Sequence, residues 1–138
     1  MAELFPQIEP YEFGFLEVDN IHKIYWEKVG NSEGVPILVL HGGPGAGGNT
    51  SLRQFFDPNY YNIIIFDQRG SGRSKPSACI KNNTTQDLIK DIEKLRILLK
   101  INKWIIFGGS WGSSLSLAYS QEYPKNIINI VLRGAFLC

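Results

Sequence analysis

Four short, nearly continuous apolar runs constrain this chain more than anything else in it: Pro36 to Leu40, Tyr61 to Phe66, Trp104 to Phe107 and Ile127 to Leu132. None alternates regularly with polar residues, so none reads as a strand with one face in water. Runs of this kind are how strands buried on both faces look. Between them lie segments of helical period. From about Thr85 to Leu99, the residues Leu88, Ile92, Leu95 and Leu99 recur at spacings of four, three and four, with Lys90, Asp91, Lys94 and Arg96 on much of the other face. Thr84 with Asp87 resembles a capping box at its start. A second helix is expected from Trp111 to Glu122, closed before Pro124, and a short one around Thr50 to Phe56. Upstream, Phe13 to Val18 and Ile21 to Val29 flank the turn-prone pair Asp19-Asn20 and predict a hairpin, and Asn31 to Gly34 is a polar turn. Strands alternating with helices after an opening hairpin predict an α/β sheet, mostly parallel beyond its first strands.

Gly108-Gly109-Ser110-Trp111-Gly112 fits G-x-S-x-G and stands between an expected strand and an expected helix, the context that gives the motif meaning. A nucleophile there is lifted onto a tight turn, and Gly108 and Gly112 keep side chains out of the space where the two backbones come close. The first amides of the helix point toward the site, so the Trp111 N–H can donate to a developing oxyanion. A second donor is expected from His41-Gly42-Gly43-Pro44-Gly45, directly after the first buried run: Gly43, with Gly42 as the fallback. No Gly-Lys-Ser/Thr closes that loop and no G-x-G-x-x-G follows a first strand, which argues against a phosphate cradle.

Other conspicuous residues read as structural. Asp67 to Ser74 is a loop held by charge and turn residues; neither Asp67 nor Arg69 is assigned to catalysis, and Asp67 precedes Ser110 where a triad acid of this type follows it. Trp26, Trp104, Phe55 and Phe56 are expected in the core. His22 is expected as a partly exposed strand residue, and His41 is poorly placed to act as a base.

Length and charge exclude several other classes. The chain has 138 residues, enough for one domain, and a formal net charge of +1, which gives no footprint for nucleic acid and no polybasic membrane patch. Its two cysteines, Cys79 and Cys138, make neither a disulfide framework nor a metal site, so no metal is expected and the thiols suit a reducing compartment. The first ten residues carry Glu3 and Glu9 without a basic start or apolar run, and no stretch approaches the ~20 apolar residues of a membrane span. A cytoplasmic location is the expectation.

His41 to Gly45, Asp67 to Ser74 and Gly108 to Ser113, in this order, resemble the proline iminopeptidase (prolyl aminopeptidase) family, serine peptidases of the α/β-hydrolase fold. So do Asn83-Thr84-Thr85, Asp91 to Arg96 and Val131-Leu132-Arg133-Gly134. Gln86 departs from the pattern, where an aromatic residue is expected. The resemblance implies release of N-terminal proline from peptides without a cofactor. Ser110 matches the nucleophile, and Gly43 and Trp111 match the oxyanion donors. It implies a triad acid and histidine, and a cap that holds the substrate, from later parts of the fold. After Ser110 the chain has no His and no Asp, and Glu122 is its only acid.

The expectation is therefore an N-terminal part of such an enzyme, truncated after about the sixth strand, with neither triad acid nor base. It is inactive alone and has a bare edge at Ile127 to Leu132. The alternatives are completion by a second chain, a non-catalytic remnant, or another hydrolase such as an esterase.

Overall fold

The structure is a computed structural model that describes residues 5–6, 8–19, 21–40, 53–54, 56–68, 85–109 and 111–133, with the backbone alone at 111–113 and 133. Its elements are β1 (Glu12–Glu17), β2 (Lys23–Gly30), β3 (Val35–Leu40), β4 (Tyr61–Phe66), α1 (Thr85–Leu98), β5 (Trp104–Gly109), α2 (Trp111–Glu122) and β6 (Ile127–Arg133). One six-stranded sheet runs in the order β1-β2-β4-β3-β5-β6. The pairs β1–β2 and β2–β4 are antiparallel, and β4–β3, β3–β5 and β5–β6 are parallel.

This is the α/β architecture that the apolar runs predict. β4 and α2 occupy the expected residues, and the other expected elements are shifted or resized at their ends. β5 outlasts its apolar run by two residues because Gly108 and Gly109 stay in register with Leu132 and Arg133. The hairpin corner takes two residues out of the expected second strand: the backbone N–H groups of Ile21 and His22 both donate to Asp19 Oδ1, at 2.7 and 2.6 Å. His22 is fully buried there, not partly exposed. The short helix expected around Thr50 to Phe56 lies largely outside the described residues, as do Phe55, Cys79 and Cys138.

The pleat sorts the central strands onto two cores. On one face Leu38, Leu40, Ile64, Phe66, Trp104 and Ile106 meet Leu88, Ile89, Ile92 and Leu95 of α1 and Leu115 and Tyr119 of α2. On the other, Ile37, Val39, Ile63, Ile65 and Phe107 meet Ile8 and Phe56, and the Phe56 and Phe107 rings sit edge to face, 5.0 Å apart. Fully burying one such side chain contributes about 1.5–3 kcal/mol. The β4-to-β5 and β5-to-β6 crossovers therefore cover one face. The described part of the β3-to-β4 crossover covers the other. Trp26 and Trp104 are core residues as expected.

α1 is buried more broadly than its charges suggest. Asp91, expected on the solvent face, is 1% exposed. It lies three residues after Leu88 and four before Leu95, which is the helix spacing of the apolar stripe itself. Gln86 is exposed in the first turn, where no packing partner is required. The helix ends with the Ile101 N–H bonded to the Arg96 carbonyl and the Lys100 N–H to the Ile97 carbonyl. That pattern puts Lys100 at the left-handed position, φ 58°, where glycine is the usual occupant. Lys100→Gly is expected to raise stability by about 0.5–1 kcal/mol, the relief of left-handed strain less the added unfolded-state entropy; an unchanged or lower urea midpoint would contradict this.

One buried ion pair anchors the opposite face. Glu27, on β2, receives Arg53 Nε at 2.5 Å and Nη2 at 2.7 Å, together with the Tyr25 hydroxyl at 2.9 Å. Arg53 also reaches the Ile8 carbonyl at 3.4 Å, and the neighbouring Gln54 carbonyl accepts the Phe5 N–H at 2.8 Å. The crossover and the N-terminal arm are thus fixed to the sheet by one carboxylate. Removing one partner leaves a buried charge unpaired, which costs about 3–5 kcal/mol. Arg53→Met is expected to show that loss in urea denaturation, and Arg53→Met with Glu27→Leu to recover most of it; a loss no smaller in the double variant would show that the pair is not the cause.

Candidate active site

In the order β4-β3-β5-β6, the chain leaves β3 toward β4 across one face and leaves β5 toward β6 across the other. Connections that diverge in this way open a crevice at the carboxyl ends of the two strands, and ligands of open α/β sheets bind there. Leu40, the last residue of β3, is in register with Gly108 of β5. β3 therefore ends beside a residue two positions before Ser110 in the sequence. β5 ends at Gly109 and α2 begins at Trp111, so a single residue, Ser110, separates strand from helix.

Gly108 belongs to β5, and Trp111 and Gly112 open α2. A backbone N–H in the first turn of a helix has no intrahelical partner, so those of Trp111 and Gly112 are open to an acceptor. His41, Gly42, Gly43, Arg69 and Ser110 lie outside the described residues. Asp67 follows β4 at the same edge; it is fully buried, its N–H bonded to the Tyr25 carbonyl at 2.9 Å. That bond ties the end of β4 to β2.

His22 stands immediately before β2. β2 is three places from β5 in the sheet, a lateral separation of about 14 Å at ~4.8 Å per strand. Glu122 is exposed at the far end of α2, roughly 16 Å along the helix from its start. Among the described residues no three His, Cys, Asp or Glu side chains group as metal ligands, and no helix is long and apolar enough to cross a membrane.

Residues that hold α2 in place were not singled out from the sequence. Glu93 of α1 accepts the Tyr119 hydroxyl of α2, Arg96 Nη2 at 2.7 Å and Nε at 3.0 Å, and Asn126 Nδ2 at 3.1 Å. Arg96 Nη1 reaches the Ile101 carbonyl at 2.8 Å. One carboxylate thus ties the helix that follows Ser110 to α1 and to the turn before β6. Burial alone raises the Glu93 pKa, but the hydrogen bonds from Arg96, Tyr119 and Asn126 and the Arg96 charge outweigh it and hold the group below its usual value of 4.5. Tyr119 is pushed well up, first by burial and then by its bond to Glu93, so it remains a donor. The available signal was the Glu93–Arg96 spacing of three on one helix; Tyr119 is 26 residues away from Glu93 and has no local signature.

A family model described as alpha/beta hydrolase fold matches residues 35–137, and the chain belongs to that family. Within it, the sequence matches proline iminopeptidases: it is 57% identical over 130 residues to that of Neisseria meningitidis, covering 94% of this chain and 42% of that one. It is 56% identical over 134 residues to the Arabidopsis thaliana proline iminopeptidase, covering 97% and 35%. The crystal structure of a proline iminopeptidase-related protein from Thermus thermophilus superposes with a TM-score of 0.77 at 28% identity, covering 91% of this chain and 45% of that one. The chain thus spans less than half the length of these relatives.

Because the folded pKa of Glu93 lies below its unfolded value, its contribution to stability is fully present above about pH 4.5 and is lost as pH falls through the folded pKa. Urea midpoints measured from about pH 7 down to about pH 3 are expected to drop in the acid limb, with a shallower drop in Glu93→Gln. Parallel curves for the two proteins would rule out Glu93 as a contributor.

Proposed function

We propose that this chain carries the nucleophile and oxyanion-binding part of a serine aminopeptidase that releases N-terminal proline from peptides. The observation that carries the reading is that β5 ends at Gly109 and α2 begins at Trp111, so that the G-x-S-x-G motif spans a strand–helix junction at the strand-order reversal, with Leu40 of β3 in register with Gly108. The substrate class comes from the names of relatives 52–57% identical to it.

The Ser110 hydroxyl attacks the carbonyl of the N-terminal proline, the Gly43 and Trp111 N–H groups take the developing negative charge, and the C–N bond breaks. The shortened peptide leaves as an amine, carrying a proton. Water then cleaves the proline ester and restores Ser110. The attacking hydroxyl gives its proton to a base, a role assigned neither to His22, beside a strand three places from β5, nor to Glu122, at the far end of α2. The base, its orienting acid and the contacts for the substrate's free amine come from a further part of the fold, on this polypeptide or on a second chain. No cofactor takes part, and the two thiols suit a cytoplasmic setting.

The 138-residue chain is expected to leave a chromogenic proline amide uncleaved. Combined with the missing part of the fold it is expected to turn the amide over, and Ser110→Ala is expected to reduce that turnover by about 10⁶-fold. Turnover by the chain alone that disappears in Ser110→Ala would overturn the need for a second part. Hydrolysis of short acyl esters but not of proline amides by the completed protein would replace the aminopeptidase reading with an esterase.

A further inference from the structure

A cavity of about 470 Å³ opens at the amino ends of the parallel strands, between the turn that joins α1 to β5 and the adjoining ends of β2 and β4. β5 runs from Trp104 to Gly109, so the cavity lies roughly 17 Å from the strand–helix junction at the other end of the sheet. It shares no residue with the candidate active site, and its volume falls in the range of small-molecule pockets, about 300–1,000 Å³. Lys28, Asn62, Lys100 and Lys103 line it, and Glu33 is the only acid among the described lining residues.

Hydrogen bonding leaves this cavity with donors to spare. Asn62 alternates along β4 with Ile63, so its side chain lies on the face of Ile64 and Phe66, under α1. It is 6% exposed, and its Oδ1 accepts the Tyr11 hydroxyl at 2.7 Å. That bond fixes the orientation of the amide and leaves Nδ2, which has no hydrogen-bond partner among the described residues. A polar group buried to this extent ordinarily has one. Across the cavity, Arg96 Nη1 takes the Ile101 and Asn102 carbonyls at 2.8 and 3.2 Å, so two backbone acceptors of the turn are already engaged. Lys100 and Lys103 form no ion pair among the described residues, with Glu33 or with any other acid. Lys28 has Glu12 at 3.2 Å, but that carboxylate is 54% exposed, and such a pair holds its partners weakly. Lys100 also occupies the left-handed position where glycine would sit without strain, so a charge is kept there at the expense of backbone comfort.

We propose that this cavity binds a small oxyanion, the phosphate or carboxylate group of a metabolite-sized molecule, through Asn62 Nδ2 and the ammonium groups of Lys28, Lys100 and Lys103. An oxyanion presents acceptors alone, which is what an amide N–H and three ammonium groups require. A cation would meet the lysines, and an apolar molecule would leave Nδ2 unpaired. The site stands at the opposite end of the sheet from Ser110, so it does not depend on the peptidase reading.

The test is an NMR titration of the isotope-labelled chain with sodium phosphate and with sodium malonate, against sodium chloride at matched ionic strength. The Asn62 side-chain amide and the backbone amides from Leu99 to Lys103 report binding. A saturable shift at these groups is expected with at least one of the two oxyanions and not with chloride; phosphate alone would name a phosphorylated ligand, malonate alone a carboxylate. Removing one lysine charge is expected to weaken binding about fivefold. Lys100→Gly, expected to be more stable than the parent, shows that loss without unfolding, and Lys103→Gln supplies a second case. Asn62→Asp keeps an acceptor for Tyr11, removes the donor and adds a negative charge, and is expected to abolish the shift. A response that chloride reproduces, one that does not saturate, or one unchanged when Lys100→Gly and Lys103→Gln are combined would each overturn the proposal and leave the lysines as solvated surface charges.

Discussion

The parallel pairing of β3 with β5 is the constraint on which the rest of the molecule depends. Neither strand is the other's neighbour in sequence, and between them the chain must travel out to β4 and back. It does so on opposite faces, which is the only way both crossovers can keep the same hand. Two cores follow from this, since each face of the central strands acquires its own cover. The crevice follows as well, because β3 and β5 end side by side and the described parts of the crossovers after them cover opposite faces.

Crossovers fixed only by apolar contact can slide, and each face here carries a buried carboxylate that removes that freedom. Glu27 fixes the segment after β3 through Arg53, and Glu93 fixes α2 through Tyr119. Each holds an element adjoining the crevice at a point away from it, so the supports do not compete with chemistry for space. Apolar replacements of both partners can match such pairs in stability. What directional hydrogen bonds add is a single position for each crossover, and a catalytic turn benefits from supports that allow only one geometry.

The framework was legible because its signals are local. A run such as Ile63-Ile64-Ile65 has no alternative to burial on both faces, and Pro124 marks the end of α2 without help from the rest of the chain. The motif around Ser110 is local too, a strand, one residue and a helix. What escaped was set by neighbours distant in sequence. Asp91 and Glu93 look like solvent residues, yet Asp91 sits within the apolar stripe of α1 and Glu93 finds Tyr119 on a different helix. His22 looks like one more strand residue until Asp19 pulls its amide into the hairpin corner.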